Sequence, residues 1–406
     1  MLKQEYSVKN LSKVIRHNHI VSWDMWSNNS EKTRVLKDLA DSINKSDRLS
    51  GDIRVQSFNG KNTYRPKLVE DFLKLKLTNY FIKRIYKISQ ADRRMIIRQI
   101  KTILEDGSPY GLLKLDISNF YESIDLKKMI DRLKEDMYLC NKGIAILESL
   151  AEKMDCLPSQ HKTNGLPRGI DISSTLSELF MSKLDDDIKK IDGIFFYARY
   201  VDDIIIIYNA DTKQLEDECS KIISSHNLTE NNNKKKVFCF DERCGTQCDF
   251  DFLGYNFKIT SRKKDKLVKI SIAKDKINKQ KRRIAHAFVA YSKDHDFPLL
   301  KRRLRFLSGV VHLQSDNRGA LSAGNAFNYS ELTNDASLQE LDKYVHRILC
   351  GNRMRIGRLF KNDNTISEDA IRKLLKISFR AGYRDRLVMN YSRLQAEKIK
   401  KAWIAS

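Results

Sequence analysis

The sequence predicts an α+β fold organised around one antiparallel hairpin, and three observations lead there. Phe195 to Val201 and Ile204 to Tyr208 are aromatic and β-branched runs suited to strands, with Asp202 and Asp203 between them. Leu112 to Ile117 is a short apolar strand that carries an acid, Asp116, near its end. Elsewhere apolar residues recur at helical spacing, as in Phe72, Leu75, Tyr80, Ile82, Ile85 and Ile88, then Met95, Ile96, Ile100, Ile103 and Leu104.

The hairpin is the least expected of these. Asp is depleted in strands, and two adjacent carboxylates between apolar runs repel unless a cation sits with them. A solvated polar turn is the bland reading. A divalent metal is the natural counter-charge for two carboxylates at one hairpin tip.

Composition narrows the partners. A chain of 406 residues is long enough for two or three domains, and at 41% hydrophobic it can bury real cores. The net charge of +23 calls for a polyanion, either nucleic acid or an anionic membrane. No apolar run approaches a membrane span, and Met1 to Ile20 lacks the apolar centre of a signal peptide. Seven scattered cysteines fit reduced thiols. Nucleic acid is therefore the expected partner, with no membrane, and the cytoplasm the expected location.

In chain order, residues 1–65 are polar and mixed, with Trp23 and Trp26 expected to pack on the main body. Lys67 to Leu104 is helical, with Lys83, Arg84, Lys87, Arg93, Arg94, Arg98 and Lys101 between its apolar positions. Those bases are either a solvated face or a platform for phosphates. Gly107 to Gly111 is a turn leading to the Asp116 strand, and a helix is expected from Ser118 to about Cys140. Asn164 to Gly169 is a loop, Ile170 to Ile188 a helix, Thr212 to Ser225 a helix, and Leu228 to Val237 a polar turn into a strand. Phe250 to Phe257 reads as an aromatic hairpin. From Lys258 to Arg305, 17 Lys or Arg stand against 4 Asp or Glu, which reads as a basic helical segment able to track a phosphate backbone. Helix patterns continue to the end, interrupted at Gly309, Ser315 to Asn328, and Gly351. Cys239, Cys244 and Cys248 lie close together without a paired Cys-x-x-Cys, so free thiols are favoured over zinc.

Asp116, Asp202 and Asp203 converging across a sheet could hold two Mg²⁺ ions roughly 3.5–4 Å apart, activating a 3′-hydroxyl and holding a triphosphate. The chain has no phosphate-binding Gly-x-x-x-x-Gly-Lys-Ser/Thr and no histidine in a nucleophile context.

These stretches resemble the motifs of bacterial reverse transcriptases, in the family's order. Asp116-Ile117-Ser118-Asn119-Phe120-Tyr121 resembles the first catalytic motif, and Tyr200-Val201-Asp202-Asp203 the aromatic-x-Asp-Asp motif. Gly165 to Gly169 resembles the loop between them, Leu228 to Lys235 the following Asn-x-x-Lys motif, and Phe252-Leu253-Gly254-Tyr255 the primer grip. The resemblance implies a right-hand polymerase with fingers, palm and helical thumb, plus a helical C-terminal extension. It divides the chain into an N-terminal extension (1–66), fingers and palm (67–257), a basic thumb (258–305) and a helical C-terminal region (306–406).

It also implies roles. Asp116 and Asp202 are the principal metal ligands, Asp203 supports them, and the Ile117 carbonyl touches the metal of the nucleotide. Tyr121 is a steric gate against the ribose 2′-hydroxyl, so deoxynucleoside triphosphates are the substrates. Lys234 approaches the triphosphate and can protonate the leaving pyrophosphate. Arg168 stands where most of the family carries Gln. The family's fingers element is missing, with Arg84, Arg93 or Arg94 as its substitute, and Arg94 is placed with Arg168 in the nucleotide-binding set. The Pro167-Arg168-Gly169 form is similar to the abortive-infection branch of anti-phage reverse transcriptases. That implies defence, with DNA made on a dedicated non-coding RNA, or untemplated and protein-primed. A second protein or a homo-oligomer is a possible partner. The competing readings are a retron-like or intron-like enzyme copying a supplied RNA, and a catalytically silent nucleic-acid scaffold.

Overall fold

The computed structural model describes residues 3–58, 60–106, 109–240, 247–262, 265–313, 321–351, 354–361 and 366–404. The chain forms two units. One is Met1–Ala91 with Tyr110–Cys239, and the other is Asp92–Pro109 with Phe240–Ser406.

The first unit opens with α1 (Val8–Val14), α2 (His17–Ser22) and α3 (Asn29–Asn44), then a hairpin of β1 (Ile53–Phe58) and β2 (Lys61–Pro66), then α4 (Val69–Ile85). After an excursion to the second unit through α5 (Arg93–Glu105), it continues with β3 (Tyr110–Asp116), α6 (Phe120–Ser123), α7 (Leu126–Glu135), α8 (Asn141–Asp155) and α9 (Asp171–Lys189). It closes with β4 (Ile194–Tyr200), β5 (Asp203–Tyr208), α10 (Thr212–Ser225) and β6 (Lys236–Phe240). The sheet order is β4-β5-β3-β6. Ile204 to Ile207 are wholly buried, so β5 is apolar on both faces, as a central strand between packed layers must be. Gly111 lies opposite Tyr208, and a Cβ there would sit 2.2 Å from the buried Tyr208 ring. On α4, Leu73, Leu77 and Phe81 recur every four residues and are wholly buried, and the helix packs on α9 and α8. Trp23 and Trp26 pack on this core, as the sequence suggests.

The second unit carries the sheet β7 (Gln247–Phe252), β8 (Tyr255–Arg262) and β9 (Asp265–Ile272), then α11 (Lys274–Asp294) and α12 (Phe297–Ser308). β10 (Val310–Leu313), β11 (Leu321–Gly324) and α13 (Asn325–Asn328) follow, then α14 (Ala336–Cys350), α15 (Arg355–Lys361), α16 (Glu368–Leu375) and α17 (Phe379–Arg384). The last elements are β12 (Val388–Tyr391) and α18 (Arg393–Ile404).

Several expectations need correction. The segment from Lys258 is not helical until Lys274; its first part is β8 and β9, where Phe257 and Ile259, then Val268, Ile270 and Ile272, bury alternate positions. That period of two is masked in the sequence by the bases between. The region after Phe306 is not all helix, because β10 pairs antiparallel with β11 and parallel with β12. The stretch 315–328 is not simply a loop, since residues 321–328 form β11 and α13 and residues 315–320 lie outside the described residues. The helix expected from Ser118 to Cys140 is broken: Ile124 is extended, and Asp125 caps α7 by accepting from the Lys127 and Lys128 amides. The helical stretch 67–104 is two helices, α4 and α5, in different units. Gly107 and Ser108 of the expected turn, and Cys244, fall outside the described residues; Cys239 is an exposed free thiol, and Cys248 is buried.

Candidate active site

The site is built on three neighbouring backbones. β3 and β5 pair antiparallel with Asp116 opposite Asp203. Beyond β3 the chain stays tied in place: the Ile117 amide donates to the Asp202 carbonyl at 3.1 Å, and the Asn231 amide to the Asp116 carbonyl at 2.8 Å. The strand pair thus brings Asp116, Ile117, Asp202 and Asp203 together at one end of the sheet, with Asn231 and Lys234 beside them.

The turn between β4 and β5 is only Val201 and Asp202, and Val201 has φ +60. Positive φ at the first turn position has the sign of a type II′ hairpin, where Gly is usual. A β-branched residue there is strained by about 1–3 kcal/mol, and something must hold it. Arg199 does: its Nη1 donates to the Val201 carbonyl at 3.1 Å. The guanidinium itself is buried and pairs with Asp185 (Nε to Oδ1, 2.8 Å) and Glu178 (Nη2 to Oε2, 2.7 Å) on α9. The Tyr197 hydroxyl donates to the same Asp185 oxygen at 2.6 Å. Burial and the Asp185 charge push the Tyr197 phenol well above its ordinary range, so it stays a donor.

The three acids differ in their surroundings. Asp116 is 4% exposed, accepting from Asn231 Nδ2 at 3.1 Å and pairing with Lys234 Nζ at 2.8 Å. Burial and then the neighbouring Asp202 push Asp203 up to about 6. Asp202 is also raised, by burial and by Asp116. The hydrogen bond to Asp116 raises Lys234. Three neighbouring carboxylates, one buried and two half-buried, with Lys234 the one cation bonded to them, are under-neutralised, which is the chemistry that suits a divalent ion. In this arrangement Lys234 holds one Asp116 oxygen, and among the described residues no three acidic, His or Cys side chains gather tightly enough to ligate an ion. The Lys234 side chain is 56% exposed and has room to leave. Its ammonium stands in for part of the positive charge that the donor set requires.

Tyr121 lies on α6 against the buried Phe120, ring centroids 5.2 Å apart. The loop 165–169 closes over α6. Leu166 donates its amide to the Tyr121 carbonyl at 2.8 Å, and a Cβ at Gly165 would lie 2.5 Å from the Glu122 backbone, so only glycine fits. Arg168 is committed locally. It binds Glu122 through two bonds, of 2.6 and 2.8 Å, and its guanidinium lies 4.9 Å over the Tyr121 ring.

The remaining expected residues belong to the second unit. Phe252 and Tyr255 pair across a two-residue turn in which Leu253 and Gly254 have φ +47 and +80, the positive pair of a type I′ hairpin. Arg93 holds this turn, donating to the Leu253 carbonyl and to the Asn328 carbonyl, each at 2.8 Å. The Arg94 guanidinium lies 4.7 Å over the Phe327 ring.

Sequence reasoning does not single out Arg199, Glu178, Asp185, Tyr197 or Asn231 as site residues. A signal exists for the first three. Arg199 is a lone charge inside an apolar strand pattern and so requires buried partners. Glu178 and Asp185 lie seven residues apart, two turns along one helix face.

A family model described as reverse transcriptase (RNA-dependent DNA polymerase) matches residues 43–257, more than half of the chain. The chain belongs to the reverse transcriptase family. The matched region includes the β1–β2 hairpin and every element of the sheet that carries the acids. Membership brings the α+β right-hand polymerase fold. This reverse transcriptase is 27% identical over 150 residues to retron Ec48 reverse transcriptase of Escherichia coli, a span covering 34% of each chain. Among solved structures, apo telomerase from Candida tropicalis, truncated from its C-terminal domain, aligns over 54% of this chain and 55% of its own at 15% identity and TM-score 0.37. Telomerase from Candida albicans with a TWJ fragment of telomeric RNA aligns over 89% and 65% at 11% identity and TM-score 0.38. The assignment rests on the family match and not on these likenesses. Among the described residues no helix is long and apolar enough to cross a membrane.

Proposed function

We propose that this reverse transcriptase is a Mg²⁺-dependent, RNA-directed DNA polymerase that adds deoxynucleotides to a 3′ end. The observation that supports it is the cross-strand pairing of Asp116 with Asp203, with Asp202 in the adjoining turn. Asp116, Asp202 and the Ile117 carbonyl, with Asp203 in support, would hold two Mg²⁺. Bound there, the metal lowers the pKa of the attacking hydroxyl and stabilises the charge of the leaving pyrophosphate. The other roles belong to side chains. Tyr121, braced by Arg168, closes the space a 2′-hydroxyl needs. Lys234 exchanges Asp116 for the triphosphate and donates its proton to the pyrophosphate. The β7–β8 turn grips the primer, and the exposed Lys274, Lys276, Lys279 and Arg282 of α11, in the thumb, track its phosphates.

We assign the template as a dedicated non-coding RNA and the role as anti-phage defence, on the Pro167-Arg168-Gly169 form of the loop. Copying of a supplied RNA in the manner of a retron is the second reading, favoured by the similarity to the retron Ec48 enzyme. Labelled deoxynucleotides given to purified protein with Mg²⁺ and no added template separate the two. Product that co-purifies with the protein and carries a repeated or biased sequence supports the first. Product only after RNA and primer are added supports the second. No product in either case removes the polymerase reading.

Two substitutions bear on individual roles. Tyr121→Ala is expected to lower discrimination against ribonucleotides by roughly 10–200-fold, the value of a lost steric contact. Unchanged sugar selectivity would move the gate elsewhere. Lys234→Ala is expected to slow single-turnover incorporation by about a hundredfold, as for loss of a positioned acid, with primer binding intact. A full rate in that variant would leave Lys234 as only a partner of Asp116.

A further inference from the structure

The first unit contains a cavity of about 530 Å³ to which none of the three acids contributes. Its walls come from the end of β2, from α4, from the loop entering α9, and from the α1–α2 segment. The volume falls within the roughly 300–1,000 Å³ of small-molecule sites.

One side of the cavity is cationic. Arg16, Arg65 and Lys76 line it, against one carboxylate, Asp171. Lys76 and Asp171 form an ion pair with each other. Among the described residues no carboxylate pairs with Arg16 or Arg65; the Arg65 guanidinium lies 4.7 Å over the Trp23 ring. Between these cations sits His19, only 7% exposed. Its Nδ1 accepts the Arg16 amide proton at 3.1 Å. Burial and then the Lys76 charge hold the imidazole down to about 4, so it is neutral near pH 7 and carries its proton on Nε2. Among the described residues Nε2–H has no acceptor. A ring N–H open to the cavity, next to two exposed guanidinium groups that pair with no carboxylate among the described residues, matches an anionic oxygen.

The rest of the lining is largely apolar, and Lys76 Nζ lies 5.6 Å over the Phe72 ring. Phe72, Leu75, Pro66 and Ile170 form its apolar part, with the Phe72 ring edge-on to His19 at 5.0 Å. An inorganic anion would leave these apolar residues against water, and a neutral ring would make no use of either arginine. The walls are also joined to each other. Tyr64 of β2 donates its amide to the Arg168 carbonyl at 2.7 Å. Gly169 has φ +92, and a Cβ there would sit 2.9 Å from the Tyr64 carbonyl. The cavity is therefore formed before any ligand arrives, which limits the ordering entropy lost on binding.

We infer that this cavity binds a nucleoside 5′-monophosphate unit, with the ring on the Phe72 wall and the phosphate at Arg16, Arg65 and His19 Nε2. The unit is either a free mononucleotide or the 5′-phosphorylated end of an RNA strand. The inference is separate from the polymerase reading and survives or fails without it.

The test is equilibrium binding of labelled AMP to the full chain in EDTA, which removes metal-dependent binding at the acids. Saturable binding is expected, and Arg16→Ala with Arg65→Ala should weaken it at least tenfold. Asp171→Asn should strengthen it several-fold, because it removes the one carboxylate and frees Lys76. A gain of affinity is a result that an unfolded variant cannot produce. Two short RNAs, one 5′-phosphorylated and one 5′-hydroxyl, separate the sources. Phosphate-dependent RNA binding tighter than AMP assigns a strand end, and AMP binding without that preference assigns the free nucleotide. No saturable binding of AMP or phosphorylated RNA overturns the inference. So does binding that ignores the double Arg change, or displacement by inorganic phosphate at concentrations equal to AMP.

Discussion

Asp202→Asn together with Asp203→Asn is expected to abolish deoxynucleotide incorporation while leaving the protein folded. Both carboxylates are raised first by burial and then by a neighbouring acid, Asp116 for Asp202 and Asp202 for Asp203, so the folded chain is held together despite them and not by them. Replacing two mutually repelling acids by neutral isosteres removes that repulsion, and the thermal midpoint should stay level or rise. The same change removes two of the three carboxylate charges that a divalent ion would draw on, leaving weaker neutral carbonyl donors. A metal site contributes several kcal/mol of transition-state stabilisation, and at 1.36 kcal/mol per tenfold its loss is about a thousandfold or more in rate. The informative measurement pairs the incorporation assay with thermal unfolding. A stable, inactive variant supports the assignment. A variant that keeps incorporating would put the chemistry elsewhere in the chain, and one that unfolds would make the acids structural.

Arg199→Ala should give the opposite pairing, a loss of stability that carries activity with it. Its guanidinium is enclosed, with its side chain 6% exposed and those of Glu178 and Asp185 each 16% exposed. Removing one partner of a buried ion pair leaves uncompensated charge and costs about 3–5 kcal/mol. Here two acids lose their cation, Tyr197 is left donating to an unpaired Asp185, and the Val201 carbonyl loses the bond that holds its strained turn. Unfolding in urea should show a midpoint lowered by that loss divided by the slope, with little change in the slope itself. Val201→Gly tests the strain separately. A change below about 1 kcal/mol would mean that the Arg199 cluster has slack enough to tolerate an unstrained turn.

The positions legible in the sequence were those whose local chemistry is self-contained. An apolar strand that carries an acid, a two-residue break between β-branched runs, and an aromatic hairpin around Leu253 and Gly254 each announce themselves within a few residues. The helix 212–225 matches its expected bounds, because Asp211 caps it and accepts from the Gln214 amide. What could not be read depends on pairing between distant segments. Nothing local tells Arg168 to spend its guanidinium on Glu122, or Lys234 to rest on Asp116. β8 beyond Phe257, and β9, are hidden because basic residues occupy outward positions of an alternating pattern, and charge density masks the period. The β10–β11–β12 sheet was hidden because one of its pairings is parallel and joins Val310–Leu313 to Val388–Tyr391, far along the chain.

The excursion through α5 bears on how the protein is made. Ile96, Ile97, Ile100 and Leu104 form the buried face of this helix, and the strand it packs on is β9. On a ribosome α5 emerges before Tyr110–Cys239 and must wait for β9 to follow. At roughly 5–20 residues per second that interval is on the order of ten seconds. During it an amphipathic helix stands with its greasy side open to solvent and to chaperones. A fragment begun at Phe240 would inherit the converse defect, a sheet without its cover and a β7–β8 turn without Arg93. The second unit is therefore a late-folding body that closes only when both ends of a long detour in the chain have been synthesised.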